Sequence, residues 1–395
     1  MRTIQMQKRS FVTYFLAVCL LACWQVRAQS LFYNTSSTVL SQNTIEGVAT
    51  NGSGNSLLFT ATGPGLNNVY RCTALALDAV NGQLFLLDGV SNALWSLNLN
   101  GGSLTLVEGG LTNFPTDLAL DVTNKAIYYT TSSTVQNNNT VQRIGYSGNN
   151  HSVIYTATGP EDADVSRCTA VAMDPGNSKI FIADAGTKKI WSMSPSGGGV
   201  LALATFTNST PTCLALDVNN RQIYFTLSST VQSSNRIERM NYDGSGLITI
   251  FTASGGVQRC TALDLDLAHD DIYLSDAMTK ALFQLPLSGG SATPILTELP
   301  ATAKRLRFYA GAQSEALVPF LTSLSFAGTN LILSATKGVA GKTYYVLTST
   351  NLTAPVSQWS PIASNLLTAN GLFSIIATNA ISGNTPHQYY IMRGQ

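Results

Sequence analysis

This sequence predicts an all-β chain built as a closed ring of repeated sheets, and three observations carry that expectation. One phrase occurs three times: Tyr33-Asn34-Thr35-Ser36-Ser37-Thr38-Val39 returns as Tyr129-Thr130-Thr131-Ser132-Ser133-Thr134-Val135 and as Phe225-Thr226-Leu227-Ser228-Ser229-Thr230-Val231, at intervals of 96 residues. A second phrase interleaves with it: Arg71-Cys72-Thr73-Ala74-Leu75 recurs as Arg167-Cys168-Thr169-Ala170-Val171 and as Arg259-Cys260-Thr261-Ala262-Leu263, 96 and then 92 residues further on. Charged residues make up only 11% of the chain. Ser, Thr, Asn and Gly supply most of the polarity, which suits short strands joined by many turns. A period of this length holds two units of about 40–50 residues, the scale of propeller blades. The expected fold is a six-bladed β-propeller of pseudo-threefold, double-blade design, followed by a small C-terminal β-sandwich.

Taken in order, residues 1–28 read as an export signal. Arg2, Lys8 and Arg9 form a basic start, Phe11 to Trp24 an apolar run, and Val26-Arg27-Ala28 a cleavage site before Gln29. The run is short for a membrane span. A second reading takes Leu20-Leu21-Ala22-Cys23 as a lipoprotein box that would place a lipid on Cys23. Residues 29–310 form the propeller. In its unit from Cys72, Ala74–Leu77 is the innermost strand and Asn81-Gly82 a turn; Leu84–Leu87 and Ala93–Leu99 follow, and Asn100-Gly101 turns the chain into Leu104–Glu108. The next unit, from Pro115, carries 117–121, 127–129, 141–144 and 152–155, and further units begin at Cys168, Pro211 and Cys260. Residues 31–61 supply three strands but no innermost one. The missing strand is Arg305–Phe308, so the two ends of the domain close the ring and leave no long open edge. Ala74, Ala76, Ala119, Ala170, Ala172 and Ala215 suit a crowded inner wall, and Trp95, Trp191 and Phe283 occupy equivalent core positions between blades. Residues 311–316 form a linker. Residues 317–395 lose the period and form the second β pattern.

Without residues 1–28 the chain carries 18 Lys and Arg against 21 Asp and Glu. That balance lacks the basic stripe nucleic-acid binding needs, so no nucleic-acid partner is expected. Cys72, Cys168, Cys213 and Cys260 remain. Three of them fall at the same point of the repeat, too far apart to be bridged, so free buried thiols are expected.

The even units resemble the YWTD repeats of low-density-lipoprotein-receptor class B propellers, through Leu84-Phe85-Leu86-Leu87-Asp88, Ile180-Phe181-Ile182-Ala183-Asp184 and Ile272-Tyr273-Leu274-Ser275-Asp276. The resemblance covers roughly 31–309 and implies six blades. It departs in the odd units, where Thr35, Thr131 and Leu227 replace the signature Asp. The tail is similar to a C-terminal β-sandwich module of secreted bacterial proteins, through Gly341-Lys342-Thr343-Tyr344-Tyr345, Ser349-Thr350-Asn351-Leu352, Trp359, Asn370-Gly371-Leu372-Phe373 and Tyr389-Tyr390. Such modules are usually accessory.

Loops that gather on one face around the channel mouth carry the candidate sites. Arg71, Arg167 and Arg259 form a threefold set that either grips an anion or pairs with Asp88, Asp184 and Asp276 of the same blades. Ser132, Ser133, Ser228 and Ser229 in the odd-unit loops suit hydrogen bonding to sugars or peptide backbone, or simply form turns, and Lys188 lies nearby. The aspartates Asp78, Asp121, Asp174, Asp217 and Asp266 recur after the innermost strands, as turn-capping residues do. Among the innermost-strand starts only Asp117 offers an acid, so neither a catalytic group nor a metal or other cofactor is expected. The function these readings favour is a secreted, non-enzymatic binding protein whose loop-rich face takes a protein or carbohydrate ligand. A lactonase-like hydrolase or lyase with a metal at the channel mouth, and a structural or adhesive surface protein, are the alternatives.

Overall fold

A computed structural model of the chain describes residues 29–63, 69–99, 104–159, 163–310, 320–338, 343–351, 358–368, 371–380 and 389–394. The expected export signal at 1–28, the expected turn at Asn100-Gly101 and the expected linker at 311–316 lie outside the described residues. The described chain separates into two compact units, one of which is Gln29–Ala310.

Six four-stranded antiparallel sheets make up that unit, each a blade of a β-propeller. Blades 2 to 6 run in chain order over 72–108, 114–156, 168–205, 210–252 and 260–296. Blade 1 joins both ends of the unit: its innermost strand is Thr302–Tyr309, paired antiparallel with Ser30–Ser36 in the register Phe32 to Arg307 and Asn34 to Arg305. The innermost strands Thr302–Tyr309, Cys72–Asp78, Phe114–Asp121, Cys168–Asp174, Thr210–Asp217 and Cys260–Asp266 each contact the next around a closed circle.

Alternation on the second strand of every blade explains why the sheets pack face to face. Each contributes one buried aromatic at the equivalent position: Phe32, Phe85, Tyr128, Phe181, Tyr224 and Tyr273. Burying a side chain of this size contributes roughly 2–3 kcal/mol. Phe85 packs with Ala74 and Leu118 across the gap between blades 2 and 3, and Phe181 with Ala170 and Leu214 between blades 4 and 5. The alanines of the innermost strands leave room for these rings. Trp95, Trp191 and Phe283 lie in the alternate interblade cores, Trp95 between blades 1 and 2, Trp191 between blades 3 and 4, and Phe283 in the core shared by blades 5, 6 and 1.

The aspartates after the innermost strands cap turns, as their repetition implies. Asp78, Asp121, Asp174 and Asp217 each accept a backbone and a side-chain N–H from an Asn three residues on. In blade 6 the Asn is replaced by His269, whose Nδ1 lies 2.9 Å from Asp266.

Across the channel one ion pair ties three blades together. Arg305 of blade 1 donates from Nε to Asp117 of blade 3 at 2.9 Å, and its Nη2 donates to the Thr169 carbonyl of blade 4. The other oxygen of Asp117 accepts the Val171 N–H of blade 4 at 3.0 Å. Both residues are buried, Arg305 7% and Asp117 1% exposed. Burial opposes the guanidinium charge, and Asp117 beside it more than offsets that, so its pKa lies above the ordinary value. A second Asp-Arg couple sits nearby: Asp264 of blade 6 accepts the Phe308 N–H at 2.8 Å. Burial raises its pKa, and Arg307 partly opposes the rise.

The second unit contains two three-stranded sheets, with strand orders 320–327, 330–338, 371–377 and 360–366, 343–349, 389–394. Leu331, Leu333, Tyr344, Val346, Ile375 and Ala377 from both sheets share one core, where Tyr344 and Phe373 pack with ring centroids 4.6 Å apart.

Arg305→Met and Asp117→Leu each leave a buried charge without its partner and are expected to cost about 3–5 kcal/mol in urea unfolding, whereas the two combined recover much of that loss. Equal loss in the double variant and the sum of the singles contradicts a coupled pair. The four described cysteines are free and buried. Burial pushes the Cys260 thiol up to about 12 and raises Cys72, Cys168 and Cys213 as well. Thiol reagents at pH 8 are therefore expected to leave all four unmodified until the fold is opened by denaturant.

Candidate functional site

Every innermost strand carries a bulge at the same point, and these bulges build the mouth of the channel. In blades 2 to 6 the pairing with the second strand skips Thr73, Thr116, Thr169, Thr212 and Thr261. In blade 1 the skipped residue is Lys304, between Ala303 and Arg305. A bulge bends its strand and re-aims the extra side chain. Five of the six such side chains are neutral hydroxyls and one is a cation.

Two recesses open at this level. The first, of about 390 Å³, is lined by Ser36, Ser37, Thr38 and Lys304 of blade 1, Arg71 and Thr73 of blade 2, and Phe114 of blade 3. The second, of about 530 Å³, shares Thr73 and Phe114 and adds Thr116, Ser132, Arg167, Thr169 and Arg305. Phe114 stands 46% exposed between them. Its ring fits against Gly89, where an added Cβ would meet the ring and Thr73 at 2.7 Å.

Of the expected site residues, Arg71, Arg167 and Ser132 meet at these recesses. Arg259, Ser133, Ser228, Ser229 and Lys188 line neither. Ser133 and Ser229 accept the N–H groups of Val135 and Val231 at 3.0 and 3.2 Å, and Lys188 donates to the Thr207 carbonyl at 2.9 Å.

The expected pairing of Arg71, Arg167 and Arg259 with Asp88, Asp184 and Asp276 does not form. Those carboxylates are filled by donors from two loops of their own blade. Asp88 accepts from the N–H groups of Tyr70, Val90 and Ser91, Asp184 from those of Ser166, Gly186 and Thr187, and Asp276 from those of Gln258, Arg259, Met278 and Thr279. A carboxylate surrounded by near, preorganised backbone donors has little left to offer a flexible guanidinium. Ion pairs among the described residues are Arg236 with Glu238 and Arg305 with Asp117, and the His269 ring meets Asp266 in a hydrogen bond. The Arg71 Nε is buried with no hydrogen-bond partner among the described residues. Partial desolvation, then the charges of Arg305 and Arg71, lower the pKa of Lys304.

In the odd blades, where the bracket aspartate is absent, a buried Asn organises the loop. Asn43, Asn139 and Asn235 accept the N–H of Ser37, Ser133 and Ser229 and donate to loop carbonyls, the same arrangement three times over. These loops present Val39, Val135 and Val231 outward, each more than half exposed. The mouth is therefore a preformed surface of fixed hydroxyls and cations rather than a set of loose loops.

Asp117, the acid a metal at the mouth would call on, is committed to Arg305 and the Val171 N–H. Sequence reasoning missed Lys304, Arg305 as a mouth residue, and Phe114. The signal was present: Ala303-Lys304 aligns with Cys72-Thr73, Pro115-Thr116, Cys168-Thr169, Pro211-Thr212 and Cys260-Thr261.

Comparisons with known proteins place the architecture. No family model and no curated protein matches the chain. Among solved structures, a chain of a nidogen/laminin complex aligns with a TM-score of 0.57 at 17% identity, covering 72% of this chain and 99% of that one. A total of 1296 solved chains match, so the likeness is to a widely used architecture and singles out no activity. It is a likeness of fold, and the chain adopts a β-propeller.

Proposed function

We propose that this chain is a secreted, non-catalytic binding protein that presents the mouth face of its propeller to a protein or glycan partner. One observation carries the reading: Arg71 and Lys304 share a recess with hydroxyl-bearing side chains, and neither takes part in an ion pair among the described residues. Groups held in place before a ligand arrives bind with less ordering cost, and unpaired cations favour an oppositely charged partner. The export-type leader read from residues 1–28 supports secretion. The similar solved chain belongs to a nidogen/laminin complex, which agrees with a propeller used for binding.

Kinship with the YWTD propellers is part of this proposal, supported by the brackets that Asp88, Asp184 and Asp276 form. So are the division at 29–310 and 317–395 and an accessory sandwich role for the second unit, supported by its own core. The hydrolase alternative asks Asp117 to hold a metal, and the Arg305 pair argues against it.

The test is capture of partners by immobilised residues 29–395 from extracellular fractions and on a glycan array. A partner lost on substituting the mouth, with Thr38→Arg and Ser132→Arg, and retained on changing the distal turn residue Asn220→Ala supports the proposal. Capture indifferent to the mouth substitutions contradicts it.

A further inference from the structure

We infer that the recess between Lys304 and Arg71 is a subsite for the carboxylate of a sugar acid, one uronic-acid unit of an acidic polysaccharide. This deepens the binding role proposed above and rests on it. The propeller's pseudosymmetry shows the recess to be special. At the bulge Lys304 stands where five blades carry Thr. Two positions before the bulge, the blade series reads Thr302, Arg71, Phe114, Arg167, Thr210 and Arg259. Lys304, Arg71 and Phe114 come together only where blades 1, 2 and 3 meet, and a purely architectural feature would follow the repeat.

The chemistry at this point matches one kind of ligand. Arg71 brings to the recess a guanidinium that takes part in no ion pair among the described residues, and Lys304 brings an ammonium crowded by Arg71 and Arg305. A carboxylate satisfies the first and relieves the second. The Ser36 and Thr38 side chains line the same wall, and their hydroxyls can both donate and accept, as sugar hydroxyls require. Thr73 already donates to the Leu87 and Pro115 carbonyls and keeps acceptor capacity. The exposed Phe114 ring offers a flat apolar wall to the C–H face of a pyranose. The volume of about 390 Å³ lies at the small end of ligand pockets, suited to a single ring and its substituents. An acidic peptide would use the cations but would leave the hydroxyl wall largely unused.

Calorimetric titration of residues 29–395 with trigalacturonate, its methyl ester and a Glu-rich peptide tests the assignment. Trigalacturonate is expected to bind, the uncharged ester at least tenfold more weakly, and the peptide more weakly than the trisaccharide. Arg71→Gln and Lys304→Thr are each expected to weaken trigalacturonate binding about tenfold or more, and Phe114→Ala to weaken acid and ester alike. Circular dichroism melts confirm that each variant is folded; Lys304→Thr restores the residue of the other five blades. No binding of trigalacturonate, equal binding of the ester, tighter binding of the peptide, or unchanged affinity in both cation variants overturns the subsite. A macromolecular partner lost with the mouth substitutions but unaffected by Arg71→Gln overturns this inference and leaves the broader binding role standing. Trigalacturonate binding with no protein partner captured supports the subsite and narrows the binding role to glycans.

Discussion

Closure of the ring by its own two ends is the constraint on which the rest of the structure depends. Thr302–Tyr309 completes the sheet begun by Ser30–Ser36, so the first and last segments of the domain cannot separate without opening a blade. The same strand carries Arg305, which reaches over the axis to Asp117 and Thr169. One short segment thus shuts the circle and links blades 1, 3 and 4 across it. A buried ion pair of this kind contributes little net energy against a well-packed apolar substitute, but breaking it on one side is costly. Its consequence here is positional: it links the inner strands of blades 1, 3 and 4 beside their bulges at Lys304, Thr116 and Thr169.

The mouth is built by repetition and made specific by exceptions. Repetition supplies the bulged threonines, the carboxylates that bracket two loops in the even blades, and the buried asparagines that each organise one loop in the odd ones. The brackets consume Asp88, Asp184 and Asp276 within their own loops, which leaves Arg71 without the counter-ion that simple counting assigns to it. The exceptions are Lys304, Arg305, Phe114 and Asp117. Arg305 and Asp117 link blades across the channel, while Lys304 and Phe114 line the recess beside Arg71.

Much of the fold was legible in the sequence because repetition is a strong signal. The Ser-Ser-Thr-Val and Arg-Cys-Thr phrases set the blade spacing, and the lack of an innermost strand for residues 31–61 pointed to Arg305–Phe308 as the seal. The bounds were less legible. The closing strand begins at Thr302, three residues earlier than its apolar pattern suggests, since Ala303 and Lys304 carry no alternation, and the cation at the bulge was lost with them. The ion pairs expected of Arg71, Arg167 and Arg259 failed for a local reason: a carboxylate at a strand end meets backbone N–H groups two or three residues away before it meets a side chain from another loop. Asp117 read as a lone acid because its partner lies 188 residues further along the chain.

Native-state hydrogen exchange tests the central claim most directly, by comparing the amides of Ser30–Ser36 and Thr302–Tyr309 with those of the innermost strands Cys168–Asp174 and Thr210–Asp217. If the ring is one cooperative unit closed by its ends and pinned by Arg305, the most protected amides of all four segments exchange with a single opening free energy, and Asp117→Asn lowers them together. Exchange of the 30–36 and 302–309 amides at a distinctly lower free energy, with the other two segments unaffected by that substitution, contradicts the account.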